Sequence, residues 1–140
     1  MKNDELLGVI HKNAEMGLLT VPKIMEKSND PEFSKCLYKK EKEYSRIYDA
    51  TKQAADMGFD KEAKLGTFEK LRTEIMIDLN TVVNASVSHL AEMMVVGSTM
   101  GVVELTRKLR EADSTPATRD LAADLINMEE KSIEELKRFL

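Results

Sequence analysis

An apolar repeat at spacings of three and four residues, the period of one face of an α-helix, runs through almost the whole chain and constrains its fold more than any other feature. Strand signals are nearly absent. Leu6, Leu7, Ile10, Ala14, Gly17, Leu18, Val21 and Met25 form the first stripe, on a helix that Asn3 and Asp4 can cap and that runs to about Lys27. Pro22 removes a backbone donor from that helix, which predicts a kink or a break between Leu19 and Val21. Asp30 ahead of Pro31 is the pairing of a capping side chain with a helix-opening proline, so a second helix is expected from Pro31 to Gly58. Its inward stripe reads Phe33, Leu37, Lys40, Tyr44, Ile47, Thr51 and Ala54, with Lys40 as the outlier.

After an expected loop from Phe59 to Gly66, the pattern predicts a long third helix from Thr67 to about Val96. Its stripe is Phe68, Leu71, Ile75, Leu79, Val82, Ser86, His89, Met93 and Val96, widened by Met76, Val83, Val87, Leu90 and Met94. Gly97 and Gly101 weaken the helix there, and Val102 to Ala112 resumes a short amphipathic pattern, as either a kinked extension or a separate turn of helix. The run Asp113, Ser114 and Thr115 ahead of Pro116 repeats the device of a capping side chain before a helix-opening proline. The last helix then runs to the C-terminus, with Ala122, Leu125, Glu129, Ser132, Leu136 and Phe139 inward and Glu129 as its outlier. Four such helices joined by mostly short loops predict an all-α, antiparallel up-and-down four-helix bundle, with an extra short helix or kinked extension around residues 98–112.

Composition narrows the class. A 140-residue chain is the size of one domain and buries roughly two-thirds of its unfolded surface. With 42% hydrophobic and 33% charged residues it is too apolar for disorder and too charged for a membrane span. A net charge of -4 gives no positive field for nucleic acid or anionic lipid. The basic residues Lys39, Lys40, Lys42 and Arg46 are interleaved with Glu41 and Glu43, as on a solvated mixed face, with an anion-binding strip as the alternative. The single cysteine, Cys36, excludes an internal disulfide and sits in an apolar pattern as an inert buried thiol would. The N-terminus turns acidic at once, with no signal-peptide pattern, and a cytoplasmic location is expected.

Function turns on polar residues placed on apolar faces. A carboxylate in the middle of an apolar stripe must be paired, metal-bound or protonated, and Glu129 is in that position. Lys40 holds the equivalent position on the second helix, with Tyr44 one turn further and Glu41 on the flank. A buried Lys40 to Glu129 ion pair, or Lys40 reaching out to the bundle surface, is the first reading. The second is a carboxylate-rich metal site that joins Glu129 to Glu41 or Glu15. A third is an anion or small-ligand pocket around Lys40, Tyr44 and Glu129. His89 lies on the third stripe with Glu92 three residues on, and His11 and Glu15 stand one turn apart on the first helix; either pair could ligate a metal.

Nine methionines, including Met93, Met94 and Met100, read as core filler or as an adaptable partner-binding face. Gly97 and Gly101 read as a bend, as a close helix approach, or as a helix start at Ser98 and Thr99 that holds an anion with Arg107 and Lys108. No order of residues supports a Ser-His-Asp or Cys-His arrangement, and a dinucleotide turn is missing. The absence of tryptophan argues against a base-stacking platform.

In helix pattern nearly the whole chain resembles the small bacterial ferritin-like four-helix-bundle proteins, many of which have no assigned role. His89, Glu92 and Glu129 are the residues carried over as degenerate ligand positions. The Glu-x-x-His pairs that complete a di-iron site are missing, since Gly8 and Ser86 stand three residues before His11 and His89. The leading expectation is a non-enzymatic ferritin-like bundle, a homodimer or larger, acting through self-association or partner binding with no cofactor. Its alternative is a site for iron, manganese or zinc built from His89, Glu92, Glu129 and Glu41.

Overall fold

The computed structural model describes residues 2–56, 79–81, 85–111 and 113–140, which hold four long helices and the separate helical residues 79–81. The long helices are α1 (Lys2–Glu26), α2 (Pro31–Asp56), α3 (Val87–Glu111) and α4 (Pro116–Leu136), and a short 3-10 turn, Lys137–Phe139, follows. No strand occurs among the described residues.

The predicted helix starts at Pro31 and Pro116 are both present. Asp30 Oδ1 accepts from the Phe33 amide at 3.0 Å, and Thr115 Oγ1 accepts from the Thr118 amide at 3.3 Å. Each side chain satisfies one of the amides that a helix start leaves without an internal partner. Ser28 Oγ accepts from the Asp30 amide at 3.1 Å, which fixes the turn from α1 into α2.

Several boundaries differ from expectation. The first helix begins at Lys2, ahead of Asn3, and runs through Pro22 without a break. Pro22 stands near the C-terminal end of α1, where only the last turn depends on the bonding it disturbs. α2 is described to Asp56; Gly58, the expected loop 59–66 and the first part of the expected third helix lie outside the described residues.

That third helix is not continuous to Val96. Ala85 and Ser86 are non-helical, and Ser86 Oγ accepts from the His89 amide at 3.1 Å to cap a new helix. α3 then passes through Gly97 and Gly101 unbroken, so the expected extension around 98–112 is part of one regular helix. Its inward face is Leu90, Ala91, Met94, Ser98, Gly101 and Leu105. That face is turned from the expected stripe, so His89 and Val96 are exposed while Ser98 and Gly101 point inward.

Side-chain pairs fix the helix directions. His11 meets Thr51 and Gly17 lies against Tyr44, so α1 and α2 are antiparallel. Lys39 meets Glu135, Tyr44 meets Glu129 and Arg46 meets Asp124, so α2 and α4 are antiparallel. α3 turns back into α4 within a few residues, and an Arg119 guanidinium N–H donates to the Leu109 carbonyl at 3.1 Å. α2 and α3 therefore run the same way, with the helical residues 79–81 between them in the chain.

The apolar core lies between these helices, with Leu6, Ile10, Ile24, Phe33, Leu37, Ile47, Leu90, Leu105, Leu125 and Leu136 almost fully buried. Leu79 belongs to it too. Phe33 and Phe139 close one end, edge to face with ring centroids 5.2 Å apart.

Candidate functional site: a buried polar layer

Lys40, Tyr44, Ser98, Glu129 and Ser132 break the apolar interior at one level. Each comes from the inward face of its helix, and each is under 9% exposed. Lys40 Nζ donates to Ser98 Oγ at 2.5 Å and to Ser132 Oγ at 2.8 Å, and lies 3.3 Å from Glu129 Oε1. An ammonium has three N–H donors, and three oxygens surround this one. Tyr44 Oη donates to the same Glu129 oxygen at 2.5 Å. The Lys40 ammonium also stands 5.4 Å from the centroid of the Tyr44 ring.

The first helix contributes space and a further polar group. A Cβ at Gly17 would run into the Tyr44 ring, so glycine is what lets α1 approach α2 there. A Cβ at Gly101 would stand 2.8 Å from Asn13 Oδ1 and 3.4 Å from Glu129 Oε2. Gly101 therefore leaves room for the outer edge of the layer, where Asn13 Nδ2 donates back to the Val9 carbonyl at 2.9 Å. Just outside, Lys12 and Glu104 join α1 to α3 as an ion pair.

Burial dominates the electrostatics. It pushes the Lys40 ammonium below its usual value, and the adjacent Glu129 carboxylate pulls it back up. Burial and then Glu129 push the Tyr44 phenol well above its usual range, with Ser98 acting in the opposite sense. Among the described residues only Ser114 Oγ is a buried side-chain polar atom without a partner. The layer is thus closed on itself, as buried polar groups must be to avoid their desolvation penalty.

The Lys40 to Glu129 pair read from two stripes is present, with Tyr44 joined to it. The proposed metal residues are dispersed. His89 and Glu92 are exposed near the start of α3, and His89 is nine residues, or about 13 Å of helix, from Ser98 in the layer. Glu41 is half-buried on the flank of α2. Among the described residues no three His, Cys, Asp or Glu side chains are grouped as metal ligands.

His11 and Glu15 form a different contact. His11 is 7% exposed, shares a hydrogen bond of 2.9 Å with Thr51 Oγ1, stacks on Tyr48 at 4.9 Å, and lies 3.5 Å from Glu15. The inward positions Ser98 and Gly101 were hidden by the expected bend, although their spacing from Leu90, Met94 and Leu105 carries the signal.

Cys36 is buried and its thiol is pushed up, first by burial and then by Glu135, which keeps it protonated and inert. The basic strip is a mixed face. Lys39 pairs with Glu135, and Arg46 is held by Asp124 and Glu43, which raise its pKa further. A groove of about 270 Å³ between α2 and α4 reaches Lys40 and Ser132 and is otherwise lined by side chains of both signs, including Asp124, Lys131 and Glu135. Tyr44 and Glu129 do not line it. Ser98 and Thr99 stand in the middle of α3, so no helix start offers an anion site there. No described helix is long and apolar enough to cross a membrane.

Comparison with family models, curated proteins and solved structures gives no match for this chain.

Proposed function

We propose that this chain is a non-enzymatic, ferritin-like helical bundle that acts through self-association or partner binding. One observation carries the reading: in the place where ferritin-like bundles gather carboxylates around metal, Glu129 is answered by the Lys40 ammonium. The cation is built into the chain, and Ser98 and Ser132 complete its coordination.

The competing reading is a metal-binding protein for iron, manganese or zinc. Elemental analysis of the natively purified protein separates the two. The proposal predicts substoichiometric metal and a melting temperature unchanged by chelator. Stoichiometric metal that is lost in Glu129→Gln or His89→Ala would overturn it.

A further inference from the structure

The outward face of α3 carries three of the five exposed large hydrophobic side chains among the described residues. Val96 is 53% exposed, Met100 66% and Val103 44%, and they stand at i, i+4 and i+7. Met93, half-buried, extends the line by one step to give the 3-4 spacing of a helix-pairing seam. A Cβ at Gly97 beside it would meet nothing within 4 Å, so the backbone on that flank is open to close approach. The inward face of the same helix is already filled by Leu90, Met94, Ser98, Gly101 and Leu105, so the outer line is a second apolar face.

Charge at the two ends selects the occupant. Glu92 is exposed at the N-terminal end of the line, and Arg107 and Arg110 are exposed at the C-terminal end. None of the three pairs with another described residue. A parallel copy would set Glu92 against Glu92 and Arg107 against Arg107. An antiparallel copy related by a two-fold axis between Thr99 and Met100 sets Val96 against Val103 and brings Glu92 level with Arg107 at both ends. It also opposes the two helix dipoles.

We infer that α3 is the self-association surface, and that it takes a second copy of this chain, antiparallel, with Met100 at the dyad. The inference rests on the self-association reading above and names its surface. Two short ends of matched charge fix register and direction, and the apolar line between them supplies the contact area.

The test uses the full chain and light scattering. A dimer is expected, and Met100→Glu or Val96→Glu should raise its dissociation constant at least about tenfold with helical circular dichroism unchanged. Glu92→Arg and Arg107→Glu should each weaken it, and the two together should restore it. In a Cys36→Ala background, Met100→Cys should form a disulfide with its own copy. Glu92→Cys should do so only when mixed with Arg107→Cys. Self-linked Glu92→Cys would overturn the antiparallel pairing. A dimer indifferent to Met100→Glu would overturn the surface while leaving self-association intact, and a monomeric wild type would overturn both.

Discussion

Lys40 and Glu129 illustrate how a buried charge is made tolerable. Neither belongs in an apolar interior alone, and the penalty for isolating either is several kcal/mol. Replacing Lys40 by methionine should therefore cost about 3–5 kcal/mol in urea unfolding, because the carboxylate is left without its cation. Tyr44 has a separate signature. Its folded phenol titrates well above the unfolded value, so above pH 10 the unfolded chain loses a proton that the folded one keeps. Stability should then fall by about 1.4 kcal/mol per pH unit from this group, a slope missing in Tyr44→Phe. Lys40 shifts the opposite way and works against that loss between its lowered value and its usual one, so the wild type must be compared with the variant at each pH. The pair was legible in sequence because each residue interrupts an otherwise apolar stripe. Ser98 was not, since hydroxyls are common on either face of a helix and the glycines beside it pointed to a bend.

Glycine has opposite meanings in two of these helices. At Gly17 a methyl group would collide with the Tyr44 ring, so Gly17→Ala should destabilise the chain despite alanine's higher helix propensity. At Gly97 the space is open, and Gly97→Ala should stabilise by roughly 0.5–1 kcal/mol in thermal or urea unfolding. The cap at Asp30 was readable, and the one at Thr115 as one of three candidates before Pro116, because a side-chain acceptor ahead of proline has one common use. Reversing either to alanine should cost about 1 kcal/mol. The start of α3 was not readable in the same way. Ser86 has no proline after it, and the apolar residues on either side of the break, Val83 and Val87 among them, mimic an unbroken stripe. The inward face of α3 is turned from the expected stripe, which leaves His89 outward and brings Ser98 and Gly101 in.

At the scale of the molecule, the four described helices are joined at one level by a polar layer and elsewhere by apolar packing. The layer ties α2 to both α3 and α4, while α1 enters through Gly17 and Asn13. A fully satisfied network of this kind sets helix register, because a slip by one turn would strand a charge. The all-helical architecture of the described residues followed from the apolar period, as did the antiparallel α1–α2 and α3–α4 pairs. Parallel α2 and α3 depend on the path of the chain between them, which periodicity does not encode. The central claim is that Glu129 is balanced by Lys40 from within the chain. A double-mutant cycle of Lys40→Met and Glu129→Gln in global urea unfolding tests it most directly. A coupling of about 2 kcal/mol or more is expected, with the double variant more stable than Lys40→Met alone. Additive losses, with no coupling, would contradict it.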